Sequence, residues 1–244
     1  MAFRIVFTAP ADGPWNMAVD ESLLASAAAG QTTLRFYGWK PATLSLGYFQ
    51  SLDSRTTHAA SRSCDIVRRA SGGGAILHDR ELTYSFATPV HDRFGQRAEQ
   101  VYDLFHRTLC DVLARWKIHA RFVGDTPHSA SEDSFLCFER RSAMDLVVAG
   151  AKILGSAQRR HQGALLQHGS LLLAASRFAP ELPGLAELTG QTLELHEVCE
   201  DWLPRLEAAM GLCGERGELT DSELLLAEQW QRERFANDVW TARR

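Results

Sequence analysis

Apolar positions along the chain follow two periods, and the switches between them mark the elements. From Trp15 to Ala29 the sequence is rich in Ala and Leu, with Asp12 and Pro14 as start signals and Gly30 as a stop, which predicts a helix. Segments 33–37, 44–48 and 65–69 alternate or carry β-branched and aromatic residues, and 81–86 does the same after a glycine-rich corner, so each predicts a strand. Val101, Leu104, Phe105, Leu109, Val112, Leu113 and Trp116 fall at helical spacing and predict an amphipathic helix over 98–116. Further strands are expected at 146–148, at 152–154 after a tight Ala149–Gly150 corner, and over the apolar run 164–173. Two helices are expected within a helical C-terminal segment, 194–244. The second starts at a capping box of Thr220 and Glu223 and runs to about Phe235. The stretch 174–190 reads as a looser connection.

With 244 residues and no repeat, low-complexity tract or linker, the pattern implies one α+β domain over 1–244, with helices packed on antiparallel sheets. A hydrophobic share of 45% with 23% charged residues is that of an ordinary globular chain. The 26 Lys+Arg against 30 Asp+Glu give a net charge of -4, which argues against a general grip on nucleic acid phosphates. No apolar run approaches the roughly 18–20 residues that span a bilayer, and the start from Met1 to Phe7 is too short and too soon polar for a secretory signal. The expectation is a cytoplasmic protein with no membrane or nucleic-acid partner. Five cysteines with no C-x-x-C pair indicate neither a disulfide framework nor a zinc ribbon.

No phosphate loop of the G-x-x-x-x-G-K-[ST] kind, complete G-x-G-x-x-G or H-E-x-x-H occurs, so a Walker-type NTPase and a simple Rossmann enzyme are excluded, and no metal site is expected. Three segments carry candidate chemistry. In 68–79, RRASGGGAILHD, glycine lets backbone N–H groups approach a ligand, and Arg68 and Arg69 suit a carboxylate or phosphate; the alternative is a flexible hairpin corner with solvated arginines. The second segment holds Lys152, one of only three lysines in the chain, with Ile153 and Leu154 to reduce its hydration. Burial there favours the neutral amine, and a nearby thiolate would keep it charged. The third is Cys137, after the polar stretch 128–134 and at a loop-to-strand transition. An adjacent cation at such a place makes a thiolate available, whereas Cys110 and Cys199, inside helical patterns, read as core residues.

Together with Asn16, Met17, Ala18, Asp20 and Glu21, the stretch from Arg35 to Gly47, the run Lys152–Gln158, Leu166–Ser170 and the terminal Arg234, Phe235 and Trp240, these segments resemble the biotin and lipoate protein ligase superfamily. Within it the chain is most similar to the cysteine-dependent octanoyltransferases. The resemblance implies a class II biotin/lipoate ligase-like catalytic domain in which Cys137 carries the acyl group and Lys152 favours its thiolate. It implies octanoyl-acyl carrier protein as donor and a lipoyl domain, expected to be the glycine cleavage H protein, as acceptor. Substrate contacts are then expected from Arg68, Arg69, Ser71, Gly72, Gly73, Gly74, Ala75, Ile76, Leu77, His78, Tyr84, Gly155, Ser156, Ala157 and His168. Of these, Ile76, Leu77 and Tyr84 would form an apolar slot, the N–H groups near Gly73, Gly74 or Ala157 an oxyanion site, and His78 or His168 a proton shuttle or a structural histidine. No cofactor is expected, except ATP and Mg if the chain is instead a lipoate or octanoate ligase. A lipoyl-domain amidotransferase and a non-catalytic binder of acylated domains are the remaining alternatives. The arginine pairs 68–69, 140–141 and 159–160 are candidates to face acidic carriers, with solvated surface arginines as the default reading, and a monomer is the expected state.

Overall fold

The computed structural model describes residues 2–124 and 134–243. Its strands are β1 (Ala2–Phe7), β2 (Thr33–Tyr37), β3 (Thr43–Leu46), β4 (Asp65–Arg68), β5 (Ile76–His78), β6 (Glu81–Pro89), β7 (Arg121–Phe122), β8 (Leu146–Val148), β9 (Ala151–His161), β10 (Ala164–Leu172) and β11 (Cys213–Gly217). The larger sheet runs β11-β1-β2-β6-β10-β9-β8-β7, and β4-β3-β5 form a smaller one. The helices are α1 (Gly13–Ala28), α2 (Arg93–Gln96), α3 (Ala98–Arg115), α4 (Leu185–Thr189), α5 (Leu195–Met210), α6 (Asp221–Trp230) and α7 (Asp238–Thr241).

Both faces of the large sheet are covered, which is why β6 is buried at every position instead of alternating between core and water. Leu34, Phe36, Tyr84 and Phe86 point to α3 and α5, where they meet Phe105, Leu109 and Trp202. On the other face Tyr37, Ala87 and Leu166 meet Met17, Val19, Leu23 and Leu24 of α1, together with Phe235. Asp12 starts α1 by accepting from Trp15 N at 2.7 Å. Lying between sheet and C-terminal segment, α1 buries its polar side as well, Asn16, Asp20 and Glu21 included. A third cluster of Leu44, Leu46, Ala75, Leu77 and Leu136 fills the small sheet.

The α+β class holds, but the sheets are mixed: β1 pairs in parallel with both β2 and β11, and β3 with β4. The segment weighed above as a leader is β1, and β11 interrupts the expected helical stretch 194–244. Past Trp230, α6 loosens into a π-helical turn over Gln231–Phe235 before α7. The connection 174–190 contains α4. The glycine-rich segment is no hairpin corner, since β4 and β5 lie on opposite sides of β3 and the loop must cross its end. Cys137 sits in a turn just after an isolated bridge between Leu136 and Ala75, not at a strand start. Of the polar stretch 128–134, only Ser134 is among the described residues. No described helix is long and apolar enough to cross a membrane.

Candidate active site

The glycine-rich loop, the turn of Cys137 and the edges of β9 and β10 enclose a cavity of about 280 Å³. Of the residues proposed from sequence, Arg69, Gly72, Gly73, Ile76, His78, Cys137, Lys152, Gly155, Ser156, Ala157 and His168 line it. Six do not, each for a packing reason. Arg68 is buried beneath the loop, donating to Gly47 O at 2.9 Å, Gln50 O at 2.6 Å and Thr241 O at 2.7 Å. Ser71 stands behind the wall, beside His168 at a small side cavity. Gly74 and Ala75 hold Cys137 from below: Cys137 N donates to Ala75 O at 2.7 Å, and a Cβ on Gly74 would lie 3.1 Å from Cys137 Cα. Leu77 is in the small-sheet core, and Tyr84 stacks on Phe105 under the floor at 4.7 Å. The apolar wall is therefore Ile76 with Met17, Trp39, Tyr102 and Phe138, in place of the slot expected from Leu77 and Tyr84.

Cys137 and Lys152 are brought together. Lys152 Nζ donates to Cys137 O at 3.2 Å and to Arg140 O at 3.4 Å, and pairs with Asp145 Oδ2 at 2.9 Å. Both members of that pair are buried, so each side chain finds its counter-charge in the other instead of in water. Gly155 makes room: a Cβ there would lie 2.7 Å from Lys152 Cε and 2.9 Å from Nζ. Arg69 is a second cation. It is buried, contrary to the solvated-arginine alternative, and its guanidinium donates to Ser45 O at 2.9 Å, Gly72 O at 2.8 Å and Gly74 O at 2.6 Å. Burial pulls Arg69 down to about 10, so it stays charged at neutral pH, and the anion that it senses most is an ionised Cys137. The Gly73 and Gly74 N–H groups make no backbone hydrogen bond among the described residues. Gly73 itself has φ +96, a conformation that favours glycine.

The two candidate histidines differ. His78 has both ring nitrogens engaged, Nδ1 with Glu81 Oε1 at 2.7 Å and Nε2 with Ser45 Oγ at 2.8 Å, while Trp39 stacks on it at 3.8 Å. Burial lowers its proton affinity against the pull of Glu81. His168 Nε2 lies 2.7 Å from Ser71 Oγ, and Nδ1 faces Asp20 Oδ2 at 3.8 Å. Under the floor, His106 Nδ1 lies 2.6 Å from Met144 O, which can only accept, so Nε2 accepts from Ser156 Oγ at 2.7 Å. Sequence reasoning missed Asp145, Trp39, Tyr102, Asp20 and His106 as site residues. The spacing of Asp145 and Lys152 about the hairpin turn was one available signal, and an acid inside an Ala/Leu-rich helix, Asp20, another. Arg159 pairs with Glu21, which also engages Arg234 at 3.3 Å, so Arg159 is partly spent internally.

The chain is similar to known proteins in both sequence and fold. Residues 12–181 match the Lipoyl protein ligase A/B catalytic domain family. The chain is 31% identical over 273 residues to "Octanoyltransferase LipM" of Anoxybacillus flavithermus, covering 99% of this chain and 98% of that protein. The protein of the same name from Brevibacillus brevis is 32% identical, with 99% of each covered. Among solved structures, a lipoate-protein ligase A bound with ATP superposes with a TM-score of 0.77 at 18% identity, covering 99% of each chain. A bi-partite lipoate protein ligase from Thermoplasma acidophilum gives 0.74 at 18% identity, covering 99% of this chain and 96% of the other. The two structures establish the fold, and the sequence matches establish that the chain belongs to the lipoyl protein ligase A/B catalytic domain family, among its octanoyltransferase enzymes.

Proposed function

We propose that this chain moves an octanoyl group from octanoyl-acyl carrier protein, through a thioester on Cys137, to a lysine amine of a lipoyl domain, with the glycine cleavage H protein as the expected acceptor. The observation that carries this reading is a half-buried cysteine on a turn facing a partly apolar cavity, with two buried cations, Lys152 and Arg69, beside it. The Cys137 thiolate attacks the donor's thioester carbonyl, the carrier's thiolate leaves, and the acyl group rests on the enzyme. The acceptor amine then attacks the same carbon, and the amide forms as the Cys137 thiolate departs. Exchange of one thioester for another is nearly balanced and amide formation is downhill, so the donor's own activation drives the sequence and ATP is not required. The N–H of Gly73, which lines the cavity and makes no backbone hydrogen bond among the described residues, is suited to the oxyanion of each tetrahedral intermediate, and losing such a contact costs about 3–4 kcal/mol.

The test is Cys137→Ser assayed with three acyl sources. We expect transfer from octanoyl-acyl carrier protein to collapse by at least ~10³-fold, in line with loss of a covalent nucleophile. Full activity of the variant with free octanoate and ATP would instead make the chain a ligase. A wild-type protein that accepts octanoate only from an already modified lipoyl domain would make it an amidotransferase.

A further inference from the structure

A donor thioester has to bring its carbonyl to Cys137 and lead the rest of its arm out to solvent, so the exit from the cavity matters as much as the apolar wall. Gly72 lines both that cavity and a second, more open hollow of about 260 Å³, whose other walls are Tyr48, Phe49, Ala70, Arg159 and Arg234. A Cβ on the next residue, Gly73, would lie 3.9 Å from Cys137 Sγ, so the loop passes from the nucleophile to the hollow in a short step. Strand β9 makes the same passage. Gly155, against the Lys152 side chain, and Ala157 line the cavity, and Arg159, on the same face of the strand, lines the hollow roughly 13 Å from Gly155. An extended pantetheine arm is long enough to bridge that span.

The hollow carries an excess of positive charge. Arg159 Nη1 and Arg234 Nη1 both pair with the buried carboxylate of Glu21, the second at 3.3 Å, so two guanidinium groups share one anion. Arg234 Nε is buried with no hydrogen-bond partner among the described residues. Arg234 sits over the Trp240 ring at 3.9 Å, and Arg243, a third cation, sits over Trp240 at 4.7 Å and over Tyr48 at 4.5 Å. Burial lowers the proton affinity of Arg234, Glu21 opposes this, and Arg159 and Arg243 lower it further, so an added anion relieves the crowding of charge. Guanidinium forks match pairs of phosphate oxygens. Phe49, 69% exposed, adds apolar surface beside them, where the gem-dimethyl group next to the phosphate of a pantetheine arm would lie. Resting on the acyl-enzyme reading above, we propose that this hollow is the donor's phosphate subsite, in which Arg159 and Arg234 bind the phosphodiester that joins a pantetheine arm to its carrier while the arm crosses Gly72 to Cys137.

The test compares octanoyl-acyl carrier protein, octanoyl-phosphopantetheine and octanoyl-pantetheine as donors, the last two differing only in the phosphate. Octanoyl loading of Cys137 in the full chain is timed by intact-protein mass spectrometry at sub-saturating donor. We expect wild type to load about tenfold faster from the phosphorylated arm than from the bare one, a preference that weakens as salt is added. In Arg159→Gln and in Arg234→Gln that ratio should fall to about two or below, and Arg234→Lys, which keeps a charge beside Glu21, should retain part of it. Equal loading of wild type from the two small donors would overturn the subsite; if the variants still slowed loading from the whole carrier, the arginines would serve its acidic protein surface instead. A ratio left at its wild-type value in both glutamine variants would also overturn it, because an arginine that only supports the fold slows both small donors alike. Wild-type protein that loads Cys137 from none of these donors would defeat the thioester reading, and the donor subsite with it.

Discussion

Arg69 is a buried cation whose hydrogen bonds all go to uncharged oxygens, and Lys152 is a buried cation already balanced by Asp145. The first therefore has more to gain from an anion at Cys137, although the lysine was the residue that composition singled out. Burial pushes Cys64 and Cys110 up to about 11 and Cys199 to about 12, whereas Cys137 is half-buried and Cys213 exposed. Iodoacetamide at neutral pH should thus label Cys137 and Cys213 well before the other three, as read by peptide mapping, and Arg69→Gln should slow labelling of Cys137 by roughly tenfold while leaving Cys213 untouched. Gly155→Ala makes a narrower cut: its Cβ strikes the flexible end of Lys152, not backbone. The ammonium must leave Asp145, and parting a buried ion pair costs about 3 kcal/mol or more, so we expect octanoyl transfer to drop at least ~10-fold together with a loss of stability of that order, measured by turnover and urea titration.

At the next scale, α3 is tied to the floor of the cavity by a directed chain. Gln167 Nε2 donates to Tyr84 Oη at 2.7 Å, Tyr84 to Ser156 at 2.8 Å, Ser156 to His106, and His106 to Met144 O, one residue before Asp145. Burial holds His106 neutral, with its proton affinity pulled down to about 4. The unfolded imidazole binds a proton near 6.5, so the unfolded state takes up protons first and stability falls as pH drops from about 6.5 to about 4, by roughly 3 kcal/mol for this group. His78 acts in the same sense. Urea stability against pH should be flatter over that window in His106→Gln than in wild type. Elements were legible where periodicity was strong: α3, β2, β6 and β10 lie close to their expected bounds, while β9 runs well past the expected 152–154. Those that were not lack the signal for a reason. β11 is a mostly exposed edge strand, Cys-Gly-Glu-Arg-Gly, with no apolar alternation and held by backbone pairing with β1, and the turn of Cys137 is set by contact with Ala75, remote in sequence. The sequence motifs brought the right residues to one cleft, yet could not tell Ile76, which faces it, from Leu77, which alternation sends to the core.

Across the whole molecule, the C-terminal segment braces the strand that carries the glycine-rich loop. Trp240 Nε1 donates to Arg68 O at 2.9 Å, Arg68 donates to Thr241 O, and Arg234 joins Glu21 on α1. Hydrogen bonds to a charged group are worth about 1.5–3 kcal/mol each. Deleting residues 237–244 should therefore cost at least about 3 kcal/mol in urea titration and lower transfer activity, since β4 enters the site directly. In the proposed reaction, fold, loop and bracing all serve one sulfur. The direct test is intact mass and peptide mapping after incubation with octanoyl-acyl carrier protein: we expect one octanoyl group on Cys137, removed when a lipoyl domain is added. An unmodified protein, or an octanoyl group on Cys64, Cys110, Cys199 or Cys213, would contradict the reading.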